Sequence, residues 1–250
     1  MMRKETLLDN CIQTDLKIIE SDLQILLLIW TALFALGLSW GLLVLAVPAI
    51  IAVFACLFSL YKKLCGTSLY GGDASLFRTL PIPVHTLVLS KIFTGGLVFA
   101  AMGVIYYICL VFRAVIYNGD PQHVISLLEQ WIYGFVNLRI DPVLVPMAAV
   151  LDFLNMAVRC FTLSAMILLG MTVYFYLPKA GRGWIVQNSM LYVGMTAVVA
   201  YFMAAETPAL MQWLQPPILQ PVFHLLLSLV LLAVSYKVCV ILIEKKDGGV

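Results

Sequence analysis

Between Leu23 and Leu60 the chain carries no charged side chain. A helix needs only about 20 residues to cross the hydrocarbon core of a bilayer, so this run is too long for one span. Backbone in lipid must satisfy its own hydrogen bonds, which leaves a helical hairpin as the economical solution. Gly37, Ser39, Trp40 and Gly41 break the run. Trp40 then falls at the outer interface, where indoles prefer to lie, and Pro48 is positioned to kink the second arm. The whole chain agrees with this reading: 63% of its 250 residues are hydrophobic and 11% charged, against about a quarter charged in ordinary globular proteins. It is expected to be a polytopic, all-α membrane protein forming one domain, 1–250.

The polar lead 1–22 mixes acids and bases ahead of any apolar run, unlike a cleavable signal, so the N-terminus is expected to be retained. Ile12, Leu16 and Ile19 recur at helical spacing, with Lys17, Glu20 and Asp22 on other faces. The spacing predicts a short amphipathic helix at the cytosolic surface, the alternative being a merely solvated lead.

The longest polar interruption is 61–91, YKKLCGTSLYGGDASLFRTLPIPVHTLVLSK. Its cations Lys62, Lys63, Arg78 and Lys91 outnumber its one acid, Asp73, and cation-rich loops stay inside the cell. Gly66, Gly71 and Gly72 favour turns, and Asp73 is a good N-cap for a short helix ended by Pro81 and Pro83. Leu76, Phe77 and Leu80 share one face of that helix, with Arg78 turned away.

Ile92–Tyr117 is expected as the third span, with Gly96, Ala100 and Gly103 forming a small-residue stripe that lets another helix approach closely. In 118–152, Asp120 caps and Pro121 begins an external interfacial helix whose apolar face is Val124, Leu127, Leu128, Trp131 and Phe135. Residues 143–152 read as an external approach, Phe153–Leu177 as the fourth span, Trp184–Ala204 as the fifth and Val222–Ile243 as the sixth. Both termini are expected in the cytoplasm. Eleven Lys and Arg then lie inside and only Arg139 outside, while Arg113, Arg159 and Lys237 sit near span ends, where long cations snorkel to the headgroups.

The order of features in SLYGGDASLFRTLPIPVHTLVLSKIF resembles the corresponding loop of ABC-2-type transporter permeases, in which a Leu-Pro element follows a short helix and a Ser-Lys pair begins the next span. Six spans with a long cytosolic loop between the second and third is also that family's pattern. The resemblance implies the membrane subunit of an ATP-driven exporter in a cell membrane, a bacterial plasma membrane in this reading. Its loop would carry a coupling helix seated in a groove of a separate ABC ATPase, two copies of which would join two permeases, either a second copy of this chain or a homologue. It implies ATPase contacts at Thr67, Ser68, Leu69, Tyr70, Asp73, Leu76, Phe77, Arg78 and Leu80, with ATP and Mg on the partner and no cofactor on this chain. Few charges in the spans favour a hydrophobic or amphipathic cargo, such as a peptide toxin or antimicrobial peptide.

The chain has no GxxxxGK[ST] phosphate cradle and no HExxH, and His85, His123 and His224 are scattered, so no catalytic residue is assigned. The net charge of +2 is small and dispersed, which sets nucleic acid aside as a partner. Cys11, Cys56, Cys65, Cys109, Cys160 and Cys239 show no CxxC spacing and imply neither zinc nor a disulfide frame. Asp152, Asn155 and Arg159 share a helix face. With Arg113 they read either as a structural ion pair between spans three and four or as an outer gate. Two other functions stay open on the residues alone: an ion-coupled secondary carrier, which would usually bury a carboxylate at membrane depth, and a non-transporting scaffold or immunity protein.

Overall fold

The computed structural model describes residues 4–36, 43–70, 82–118, 145–176 and 219–247, and among them every regular element is helical. They form α1 (Lys4–Leu36), α2 (Leu43–Tyr61), a π-helical continuation of α2 (Lys62–Tyr70), α3 (Val84–Asn118), α4 (Val145–Tyr176) and α5 (Leu219–Asp247). Val84–Tyr106, Phe153–Val173 and Val222–Lys245 are long and apolar enough to cross a membrane. The chain is therefore a helical membrane protein.

Contacts between the helices fix their directions. Asp15 meets Lys91 and Trp30 meets Met102, so α1 and α3 run parallel. Gly96 faces Phe161 and Gly103 faces Met156, so α4 runs antiparallel to α3. Thr162 meets Ser228 and Thr172 meets Cys239, making α5 parallel to α4. The starts of α1 and α3, the π-helical segment and the ends of α4 and α5 consequently gather at one end of the bundle, here called the base.

The boundaries differ from the expected ones in three places. The lead is not a separate surface helix: α1 is one helix from Lys4 to Leu36, because the stripe that places Ile12, Leu16 and Ile19 continues in register through Leu23 and Leu26. Its length, about 50 Å at 1.5 Å per residue, exceeds a hydrocarbon core of about 30 Å, so its first turns extend past the apolar zone. The third helix begins at Val84, eight residues before Ile92. Pro83 cannot continue a helix backwards but suits its start, and its carbonyl accepts from the Thr86 and Leu87 amides at 2.9 and 3.3 Å. Finally, 143–152 is not a separate approach from Val145 onward, since α4 runs unbroken to Tyr176. The coupling helix at 73–80, the interfacial helix within 118–142, Trp40 and the fifth span at 184–204 lie outside the described residues.

The core runs along the seam of α1, α2 and α3 and into α4, with Ile19, Leu26, Leu60, Leu64, Val88, Val98 and Leu168 almost wholly enclosed. In the π-helical segment, i→i+5 bonding sets residues about five apart over one another. Leu64 and Leu69 are accordingly both buried while Lys62 and Lys63 stay in solvent. The Gly96 and Gly103 stripe is a packing surface. A side chain at Gly96 would enter the Phe161 ring, which is itself held edge-on against Phe93 at 5.3 Å.

Candidate functional site

The most unusual chemistry in the described residues is a buried ion pair at the base. The Lys91 ammonium donates to Asp15 Oδ1, with the two side chains 2% and 5% exposed. Ser90 Oγ donates to Asp15 Oδ2 at 2.9 Å and is also 2.9 Å from the Leu87 carbonyl. Both carboxylate oxygens thus have a partner, which is the condition under which a charge survives burial. The pair is possible because Asp15 falls on the apolar stripe of α1, one turn before Ile19, and Lys91 on the stripe of α3, beside Val88 and Ile92.

Every described element contributes to its surroundings. Ser164 of α4 lies 3.5 Å from the Lys91 carbonyl. Tyr61, at the end of α2, points its hydroxyl at Gly95, where any side chain would overlap both that hydroxyl and Ser164 Oγ. Tyr61 Oη is enclosed beside Ser164, and Thr94 Oγ1 is enclosed without a hydrogen bond. Cys65 of the π-helical segment and Cys239 of α5 are fully buried.

Burial pushes the Asp15 carboxyl above the usual carboxylate range, with Lys91 and Ser90 pulling the other way. It pushes the Cys65 thiol up to about 12 and raises the Tyr61 hydroxyl. The nearby Cys11 thiol is raised by burial and by the Asp15 charge. Burial thus favours the thiol form of both cysteines.

A second, wetter pair lies two turns along α1. Lys63 Nζ is 2.7 Å from Asp22 Oδ1, and Ser59 Oγ donates to Asp22 Oδ2 at 3.2 Å. Lys63 is 45% exposed and Asp22 14%. Asp15 and Asp22 are seven residues apart and so share a face of α1.

Neither aspartate stood out in the sequence as a site, and Lys91 read as a solvated loop cation. Cys65, expected in an accessible loop, is enclosed. The available signal was Asp15 itself, an acid inside the Ile12, Leu16, Ile19 stripe and not opposite it. Of the residues expected to meet an ATPase, Leu69 is buried in the core at 5% exposure. Thr67, Ser68 and Tyr70 have only their π-helical backbone described, and Asp73, Leu76, Phe77, Arg78 and Leu80 lie outside the described residues. In the outer group Asn155 is 2% exposed with its Oδ1 unbonded, and Arg159 is half-buried. For Arg113 and Asp152 only the helical backbone is described. His224 is buried at 7% exposure with its ring edge-on to Phe223.

The chain matches no protein-family model, no curated protein and no solved structure.

Proposed function

We propose that this chain is the membrane subunit of an ATP-driven exporter of the ABC-2 type, crossing the bilayer six times with both termini in the cytoplasm and taking its energy from a separate ATPase. The observation that carries the reading is the direction of the helices. α4 ends at the base, yet α5, parallel to it, starts at the far end, so 177–218 has to travel the length of the bundle. That distance is about 40 Å for a helix like α5, and Trp184–Ala204 is an apolar segment fit for the crossing. In this reading an added crossing makes six, and Lys62 and Lys63, Lys179 and Arg182 just after α4, and Lys245 and Lys246 in the last turn of α5 share the side of the base. That is the distribution expected of a cytoplasmic face.

Within this reading the connection 71–81 receives the ATPase through Leu76, Phe77 and Leu80. Its movement passes into α2 and α3, whose base ends flank it, and changes the access side as a two-state switch. Asp152, Asn155 and Arg159 lie toward the far end of α4 and serve the outer mouth. The test is affinity purification from native membranes with mass spectrometry for a P-loop ATPase. Leu76→Asp with Phe77→Asp should abolish recovery of that ATPase while leaving insertion intact, because desolvated apolar anchors dominate such interfaces. Unchanged recovery in the double variant would sink the proposal.

One observation favours a second reading, an ion-coupled carrier: Asp15 is a carboxylate buried against a lysine that lies within the apolar length of α3. Purified protein in sealed vesicles separates the two. Cargo movement driven by a proton or sodium gradient without ATP would support the carrier.

A further inference from the structure

Two ion pairs link α1 to the chain on both sides of one connection. Lys63 precedes 71–81 and Lys91 follows it, and each is held by an aspartate from the same face of α1. Higher up, the bond from α1 to α3 changes character: the Trp30 indole N–H donates to the Met102 carbonyl at 2.8 Å, and Leu26 is wholly enclosed in apolar side chains. α1 is thus fixed by an indole and leucine along its upper half and by charge along its lower half, with Ile19 between the two aspartates.

A buried ion pair is a poor way to add stability, since well-packed apolar residues of similar volume usually do as well or better. What it adds is a large difference between two arrangements. Closed, the charges satisfy one another. Opened, both can be hydrated at a base that already carries the solvent-exposed Lys62. Apolar residues at 15 and 91 would have no comparable alternative, because water offers them nothing.

We propose that the lower part of α1 is a charged clasp over the base, closed by Asp15 on Lys91 and Asp22 on Lys63, and that it opens as a local unit while the contacts of Trp30 and of α4 with α5 stay intact. The inference rests on the exporter reading for its purpose, which is to tie the base ends of α2 and α3 together until the connection between them is moved. Its mechanics stand apart from any ATPase.

Two native cysteines report the clasp. Cys65 is enclosed near Asp15 and Lys91, whereas Cys160 lies in the middle of α4 and is half-buried. Full-length protein in lipid nanodiscs is treated with N-ethylmaleimide near neutral pH and labelling is followed at each cysteine by mass spectrometry. Asp15→Asn removes the charge that holds Lys91 and should raise the Cys65 rate by about tenfold or more while the Cys160 rate stays the same, the signature of local opening. Ser90→Ala leaves both charges in place and removes one hydrogen bond from Asp15. It should raise the Cys65 rate about severalfold and decides the matter if the aspartate variant does not fold. Cys65 unchanged in the folded variants, or Cys65 and Cys160 rising together, would overturn the clasp. Because no ATPase enters the measurement, failure of the exporter reading in the purification test leaves this outcome untouched.

Discussion

The α1–α3 seam and the α4–α5 seam each join two helices running in the same direction, yet they are bonded differently. The first is crossed by a full ion pair and an indole. The second is crossed by threonine hydroxyls, Thr162 Oγ at 3.0 Å from the Ser228 carbonyl and Thr172 Oγ near Cys239. Each threonine also bonds back to the carbonyl one turn earlier in its own helix, at 2.9 Å for Thr162 and 2.8 Å for Thr172. Those hydroxyls are satisfied within α4 whether or not α5 is present, so the α4–α5 seam depends chiefly on apolar packing. Asp15 has no such internal partner among its contacts. Its charge is satisfied only when α1 and α3 are together, so the lower part of the first seam depends on a partner across it in a way that the second does not.

The contrast can be broken most directly at Lys91. Lys91→Ala leaves the Asp15 carboxylate enclosed without its counter-ion and should cost about 3–5 kcal/mol at that seam, whereas Asp15→Leu with Lys91→Met should recover most of the loss. Denaturant unfolding in detergent micelles reads both. A single variant no more damaging than a threonine change at the other seam would erase the distinction.

Between the seams lies the α3–α4 contact, where the limit is space. Gly96→Ala puts a methyl into the Phe161 ring and should lose about 1–3 kcal/mol through overpacking, seen as a lower midpoint of thermal aggregation. An unchanged midpoint would mean that α3 and α4 do not touch there. Thr162→Val should cost about 1 kcal/mol or less, since one modest hydrogen bond is removed and the volume is kept. A loss comparable to that at Lys91 would mean that α4 and α5 are held by polar bonding after all. The smallest effect is expected at Gly170, where an added methyl meets nothing within 4 Å. Gly170→Ala should be neutral or stabilise by about 1 kcal/mol through helix propensity. A clear loss would mean that a neighbour covers that position.

The outer group is a separate probe. Asp152→Asn and Arg159→Gln should leave expression and thermal stability near normal and change transport if those residues gate the outer mouth. Loss of stability with proportionate loss of transport would mark them as structural.

Much of the architecture could be read from residue types. The lengths of the apolar runs fixed the helical class, and the fourth and sixth spans, Phe153–Leu177 and Val222–Ile243, agree with the apolar lengths Phe153–Val173 and Val222–Lys245 within a few residues. The close-packing role of Gly96 and Gly103 was legible because small residues at helical spacing have one common use in membranes. The unbroken α1 was not, since the change from polar lead to apolar run looks like a boundary although the periodicity passes through it. The base pair was hidden for a related reason. An acid within an amphipathic stripe and a lysine at the start of a span each read as residues at home in water.

The sequence by itself determined that this chain lives in a membrane as helices, because burial of apolar length in a medium without water is a one-dimensional property of the residues. Tertiary structure alone decided which helices are parallel, and with it which ends share the base. It also decided that Asp15 reaches Lys91, 76 residues away, and that Cys65 is enclosed near them. Those outcomes depend on which stripes face one another, and the energy of an ion pair depends on the position and solvation of both charges together.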